Sequence, residues 1–309
     1  MKFITYDIEV DTINLLKPHI EFERDIPKEE LFVDGKPKDD LVYLKSWEDI
    51  ASTRIDVYPF SALFKKENIV DMVVPFKLKC YNRFNEYHMR MPKTLVGNVE
   101  TLLKHMSNTK DYVLKPINLN RSVGITHVTK SKLRQMQHDA QEMDIDTFNH
   151  THEVNVSEAL NYVEVTSLRN AIKDDILLVL QEDVKHKHEY RIIYFKGAKV
   201  SDYLVVKRTN YHPNALEPRE NIELSKSEIK KIPYLYIILE AMKEFGDALP
   251  HPYLSLDVYV DRVDTHSVSF GMFEYSTEFG YKHIQDTDAL GKKMADSIRF
   301  TLKRQRSEI

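Results

Sequence analysis

Three short stretches hold the side chains whose types and spacing could do chemistry. In "SLDVYVDRVDTHSVSFGMFEYS", Asp257 comes before a turn and Glu274 after it. If the flanking runs pair as antiparallel strands around 261–267, both acids fall on one sheet face. Two acids among Leu256, Val258, Met272, Phe273 and Tyr275 are costly unless a cation neutralises them. Mg²⁺ would do so, because that ion takes one or two carboxylates together with substrate phosphates. The same alternation also fits a face on which both acids meet water.

The second stretch, "VLQEDVKHKHEYRIIYFKG", starts as a buried strand and runs out into Gln181, Glu182, Asp183 and Val184. Such an exit offers backbone N–H and C=O groups to a flat heterocycle. Glu189 and Arg191 open the next strand, and Lys207 and Arg208 close its partner. An acid followed by cations along one sheet suits ribose hydroxyls and phosphates. A solvated face laced with salt bridges uses the same residues. The third stretch, "VLKPINLNRSVGITHV", ends an apolar run on Lys115. Its loop, 117–124, carries Asn118, Asn120, Arg121 and Ser122 with one glycine, Gly124. A solvated hairpin and a phosphate clamp both fit it.

The elements that must position these residues are legible as an alternation of strands and helices. "KFITYDIEV" alternates as a strand, and a charge-rich region with a turn at Asp34-Gly35 follows. Short strands and helices continue through "NIVDMVVPF", giving a small α/β domain over 1–80. "NRFNEYHMRM" reads as a short helix ended by "MPKT", since proline restricts the residue before it. "NVETLLKHMSN" is amphipathic, with Val99, Leu102, Leu103 and Met106 on one face. "DYVLKP" and "GITHVTK" are strands flanking the loop. The stretch 131–175 reads as a polar insertion, and His138, His150 and His152 do not stand at helical ligand spacing. A second unit closes near 180. The third, 181–309, holds the buried strand's exit and a hairpin around Lys196-Gly197. Helices over 225–246, the Asp and Glu strands and a final helix near 286–305 complete it.

In this order the pieces resemble the ATP-grasp family over roughly 75–285. The resemblance implies an α/β (α+β) fold in which two α+β subdomains sandwich a nucleotide behind a small N-terminal domain. It places Lys115 on the family's phosphate lysine, "INLNRSVGI" on its mobile loop and "MPKT" on the Pro-x-Thr before it. Gln181, Glu182 and Val184 fall on the hinge that meets adenine, and Glu189 on the ribose acid. Arg191, Arg208 and Lys207 fall on the cations near the nucleotide, with the two arginines at the transferred phosphate. Asp257 and Glu274 match the metal ligands, and Lys77, Lys79 and Arg83 compete for an earlier basic position. ATP and Mg²⁺ are the implied cofactors. The implied reaction joins a small-molecule carboxylate to an amine through an acylphosphate, with amino acids or a peptide or protein as candidate substrates. Two departures stand out: Ser276 replaces the metal-binding Asn, and the loop has a single glycine. Both also fit a non-catalytic nucleotide- or partner-binding relative.

Composition narrows the remaining classes. The chain has 309 residues with a formal charge of -4, so no global field draws it to nucleic acid or an anionic membrane. "KKMADSIRFTLKRQRSEI" is locally basic, which fits the solvated face of a helix. One cysteine, Cys80, excludes an internal disulfide and a Cys-based zinc site. The N-terminus does not read as a signal peptide, and no run of 18 apolar residues exists, so a cytoplasmic protein with no membrane span is expected. Asp7 and Glu9 in "YDIEV" resemble the first acidic motif of DEDD exonucleases, but no matching later acids follow; a nucleic-acid enzyme is the weaker alternative.

Overall fold

The structure is a computed structural model. It describes residues 2–4, 10–23, 32–33, 36–37, 41–45, 64–72, 77–117, 124–155, 167–209, 220–264 and 267–308. Asp7, Glu9, the Asp34-Gly35 turn and loop residues Asn118, Asn120, Arg121 and Ser122 lie outside the described residues.

The N-terminal elements are β1 (Lys2–Ile4), α1 (Val10–Leu16), β2 (Phe22–Glu23), β3 (Phe32–Val33), β4 (Lys36–Pro37), β5 (Leu41–Lys45) and β6 (Ile69–Asp71). Four of them form a parallel sheet in the order β2-β1-β5-β6, while β3 and β4 pair only with each other. A parallel sheet needs cover on both faces, and on β5 Val42 and Leu44 on one face and Leu41 and Tyr43 on the other are accordingly buried.

The next elements are α2 (Lys77–Glu86), β7 (Thr94–Gly97), α3 (Val99–His105), β8 (Tyr112–Pro116) and β9 (Thr126–Val128). They continue through α4 (Lys130–Glu142), α5 (Ile145–Thr151), α6 (Leu168–Lys173) and β10 (Leu178–Glu182). The strands form an antiparallel sheet ordered β7-β10-β8-β9. Helices α3 to α6 start where Asn98, Thr129, Asp144 and Ser167 each accept a hydrogen bond from a backbone N–H three residues on. Helix α2 begins five residues before the stretch expected to be helical. It closes at His88, whose φ of 53° is left-handed, and so stops before Pro92 is reached.

Within the expected polar insertion at 131–175, the described residues 131–155 and 167–175 contribute to the core of this unit. Leu133, Met136, Ala140, Phe148 and Leu168 are fully buried and pack with Leu102, Leu114, Leu178 and Leu180. The polar faces of α4 and α5 dominate their composition and hide this narrow apolar stripe.

The last elements are β11 (His188–Phe195), β12 (Leu204–Thr209), β13 (Glu220–Glu223), α7 (Lys226–Lys230), α8 (Pro233–Ala248), β14 (Tyr253–Val263), β15 (Val268–Ser276) and α9 (Thr287–Ser307). Five strands form an antiparallel sheet ordered β13-β12-β11-β14-β15. Gly197 turns the β11–β12 connection at φ +83°, where a Cβ would also stand 2.6 Å from the Phe300 ring. Helix α8 covers one face of the sheet, so close that a Cβ on Gly246 would lie 2.7 Å from the Tyr194 ring. Helix α9 touches β11 and β14 on one side and α1 and β6 on the other. The N-terminal sheet and the five-stranded sheet therefore share one core, in which Phe3, Leu16, Val42 and Val70 join Ile193, Leu254, Met294 and Ile298. The four-stranded antiparallel unit keeps a core of its own. No helix among the described residues is long and apolar enough to cross a membrane.

The α1–α9 contact is tight at Gly291, where a Cβ would stand 2.1 Å from the Leu15 carbonyl oxygen. Since that neighbour is backbone, Gly291→Ala must separate the helices. Overpacking of this kind costs about 1–3 kcal/mol, so the melting temperature should fall by roughly 2–10 °C in thermal circular dichroism.

Candidate functional site

Register decides which side chains meet. Arg191 on β11 is directly opposite Asp257 on β14, and Asp257 is directly opposite Glu274 on β15. On the other side of β11, Glu189 is opposite Arg208 on β12. Directly opposed residues share a sheet face, and Glu189 and Arg191 are two apart on one strand. Arg208, Glu189, Arg191, Asp257 and Glu274 thus form one row across four strands, on the face away from α8. A bulge follows Asp257, because Val258 pairs with Met272 and leaves Phe273 extra.

The row is closely bonded. Arg191 donates to both carboxylate oxygens of Asp257, from Nε at 2.8 Å and from Nη2 at 2.9 Å. Arg208 Nη1 donates to Asp257 Oδ2 at 2.9 Å and to Glu189 Oε1 at 2.5 Å. His186 Nε2 lies 3.5 Å from Glu189 Oε2, while its Nδ1 stands 3.0 Å from the Val184 carbonyl oxygen. Asp257 is 5% exposed. Burial opposes its charge, but Arg191 and Arg208 outweigh burial and hold the carboxyl down at about 2. Asp257 in turn raises Arg191 above the usual guanidinium value. Burial alone would lower His186, yet Glu189 and the Val184 carbonyl carry it above its usual value.

The second wall comes from β10 and β8. Leu178 and Leu180 point into the core beside α4 and α6, so Val179 and Gln181 point the other way. Gln181, 2% exposed, accepts from Lys115 Nζ at 2.7 Å and donates to Thr94 Oγ1 at 3.2 Å. Burial lowers Lys115 to about 8, although Glu274 and Glu189 pull the other way. Lys77, at the first turn of α2, is also buried, and its value is lowered by burial against the pull of Glu274. The Cys80 thiol, on the same helix, donates to the Tyr275 carbonyl at 3.5 Å, fastening α2 to β15. Burial pushes that thiol up to about 12, which makes it a poor nucleophile.

Of the sequence candidates, the structure brings together Lys115, Gln181, Glu189, Arg191, Arg208, Asp257 and Glu274. Of the three basic residues of α2, Lys77 lies near Glu274, whereas Arg83 is bonded to Glu86 and Lys79 is near His251. Lys207 is a correction. It is opposite Tyr190, so it projects from the α8 side of β12 while its neighbour Arg208 enters the row. Glu182 pairs with Lys110 at 2.5 Å and its backbone N–H donates to the Lys93 carbonyl, leaving Val184 at the exit beside His186. Ser276 lies two residues along β15 from Glu274, and its hydroxyl accepts from the Glu278 N–H at 3.1 Å. Gly124, with φ 72°, donates to Asn155. Asp257, expected as a metal ligand, is engaged by two arginines.

Two residues escaped sequence reasoning. His186 sits in a run of alternating Lys and His that looks solvated. His283 follows β15 in a segment without periodicity, and its Nε2 is buried with no hydrogen-bond partner. Burial, and then Arg191 and Arg208, lower its value. Among the described residues no group of three or more His, Cys, Asp or Glu forms a metal cage. Among the described residues, Lys77, Lys115, Arg191 and Arg208 face Glu189, Asp257 and Glu274, four cations to three carboxylates, a balance suited to an anion.

No family model and no curated protein sequence matches the chain. Solved structures do. D-cycloserine synthetase DcsG superposes with a TM-score of 0.51 at 12% identity, over 98% of this chain and 99% of that one. The L-amino acid ligase from Bacillus licheniformis gives 0.53 at 11% identity, over 96% of this chain and 75% of that one. A Chryseobacterium gregarium RiPP-associated ATP-grasp ligase, solved with ADP and a leader and core peptide, gives 0.50 at 12% identity, over 97% and 96%. Likeness at this identity speaks for the fold.

The depressed Asp257 value has a consequence for stability. A carboxyl whose folded value lies below its unfolded one stabilises the fold above the unfolded value and loses that contribution as pH falls through the folded one. Between pH 5 and 2, urea unfolding should show the wild type losing on the order of 2 kcal/mol more than Asp257→Asn.

Proposed function

On the premise that the chain has the ATP-grasp fold, we propose that it is an ATP-dependent carboxylate–amine ligase working through an acylphosphate. The observation that carries this reading is the row from Arg208 to Glu274 on one sheet, facing the Lys115–Gln181 pair on another.

In this reading Lys115 and Lys77 hold the phosphates, helped by the loop 117–124. The β10 exit from Gln181 to Val184 meets adenine, and Glu189 meets the ribose. The substrate carboxylate attacks the γ-phosphorus, the bond to the β-phosphate oxygen breaks, and ADP leaves. An amine then attacks the acyl carbon, phosphate departs, and the amine nitrogen gives up a proton. Arg191 and Arg208 neutralise the phosphoryl group and the developing oxyanion, which is most of what such catalysis asks of a protein. No Ser, Cys or His nucleophile is needed, in agreement with the inert Cys80. Glu274 suits Mg²⁺: it is exposed, and its carboxylate has no hydrogen bond or ion pair among the described residues. When bound, that ion supplies charge neutralisation at the phosphates. Candidate substrates are amino acids and other small carboxylates and amines, and peptides join them given the likeness to a peptide-bound ligase.

A non-catalytic nucleotide-binding module is the second reading. It is favoured by Ser276 in place of an amide ligand and by the engagement of Asp257 with arginines.

Incubation with ATP, Mg²⁺ and a panel of amino acids, carboxylates and short peptides should release phosphate. ATP binding without release under any condition would favour the module. Glu274→Ala should abolish release while the circular dichroism spectrum stays unchanged. Lys115→Met should weaken ATP binding in calorimetry by roughly tenfold or more, the value of a hydrogen bond to a charged group. Because Lys115 is protonated below about 8 and neutral above it, wild-type affinity should fall as pH rises from 7 to 9. The Lys115→Met variant should lose that slope.

A further inference from the structure

The two acids of the row are not equivalent, and the difference bears on how many metal ions accompany the nucleotide. A carboxylate offers about four lone-pair positions. On Asp257 three are filled, one on Oδ1 by Arg191 Nε and two on Oδ2 by Arg191 Nη2 and Arg208 Nη1. The arginine side chains are themselves 17% and 15% exposed, so a metal ion that displaced them would strand two guanidiniums in poor solvent contact. A dication placed on the remaining Oδ1 position would instead stand against two cations at close range. Ser276, the third expected ligand, offers a hydroxyl that already accepts a backbone hydrogen bond. Glu274 is the opposite case, exposed and uncommitted, directly across from Asp257. Mg²⁺ needs few protein ligands, since it keeps several waters and takes the rest of its shell from phosphate oxygens.

We propose that Asp257 serves as the fixed counter-ion of Arg191 and Arg208, that Glu274 is the carboxylate the chain lends to the metal, and that one divalent ion binds with each nucleotide. The inference rests on the nucleotide-binding reading above. It assigns Asp257 a positioning role: it holds both guanidiniums in the row.

The test is a count of Mn²⁺ on the full chain in the presence of ADP, read from the loss of the free-ion signal in electron paramagnetic resonance, with ADP binding followed separately by calorimetry. The expected result is one Mn²⁺ per chain. Glu274→Gln should weaken ADP-dependent Mn²⁺ binding by about tenfold or more, as removal of a ligand does. Ser276→Asn should leave the count at one, because the arginine clamp, and not the missing amide, sets the limit. Asp257→Asn should retain the ion if it folds. Two ions on the wild type, a second ion gained by Ser276→Asn, or loss of the ion in a folded Asp257→Asn protein would overturn the assignment. Absence of ADP binding to the wild type would overturn the nucleotide reading itself, and the inference with it.

Discussion

Asp257 keeps its charge in a nearly dry position because two guanidiniums meet it there, one in a two-bond fork and one shared with Glu189. A lone carboxylate so buried would take up a proton or unfold its surroundings. The arrangement therefore demands that Arg191 and Arg208 arrive on the same sheet face, from strands on the same side of Asp257, within bonding distance. Only one register of β11, β12 and β14 satisfies that demand. A slip of a single residue in β11 would turn Arg191 toward α8 and bring Ile192 or Tyr190 to face the acid. The interaction is weak evidence of net stability, since burying ions is itself costly, but it is a strong filter on which pairing survives.

The rest of the cleft is arranged around that fixed row. Glu274 stays free because its cross-strand partner has its charge satisfied elsewhere. Lys115 and Lys77 come from a different sheet and a helix, and Gln181 keeps the first of them extended toward the row. The Cys80 thiol fastens α2, and with it Lys77, to β15 beside Glu274. Positive charge thus comes from both walls, whereas the uncommitted acid comes from one.

Much of this was legible in the chain. The strands carrying Asp257 and Glu274 showed in the alternation on either side of a polar turn, and the order of the pieces along the chain gave the family resemblance that implied a cleft. What failed has physical causes. Lys207 and Arg208 were read as a pair, although neighbours on a strand face opposite ways and the register needed to choose between them comes from pairing. Within 131–175 the core positions gave no signal, because the buried stripe of α4 and α5 is thin beside their polar surface. Lys77 could not be told from Lys79 and Arg83, since that depends on where α2 starts and how it turns against β15. His186 and His283 gave no signal, because what sets them apart is the charge brought near by other strands.

Helix α9 and the crossings between units decide how the two walls are held. The N-terminal sheet and the five-stranded sheet share one core through α9 and so form a single packed block. The four-stranded unit has a core of its own on one face, and the chain crosses to that block in two segments, one near 87–93 and one near 182–188. These are not independent tethers: the Glu182 N–H is bonded to the Lys93 carbonyl, and the Arg90 carbonyl to the Met272 N–H on β15. Val179, with Val96 and Ile117 beside it, also packs from the four-stranded unit into the shared core, so the two crossings and this apolar seam together fix how the walls face each other. The position of Lys115 over the row is therefore set by backbone bonds at the crossings and by side-chain packing at the seam, and a substitution at Val179 would bear on it although Val179 carries no charge.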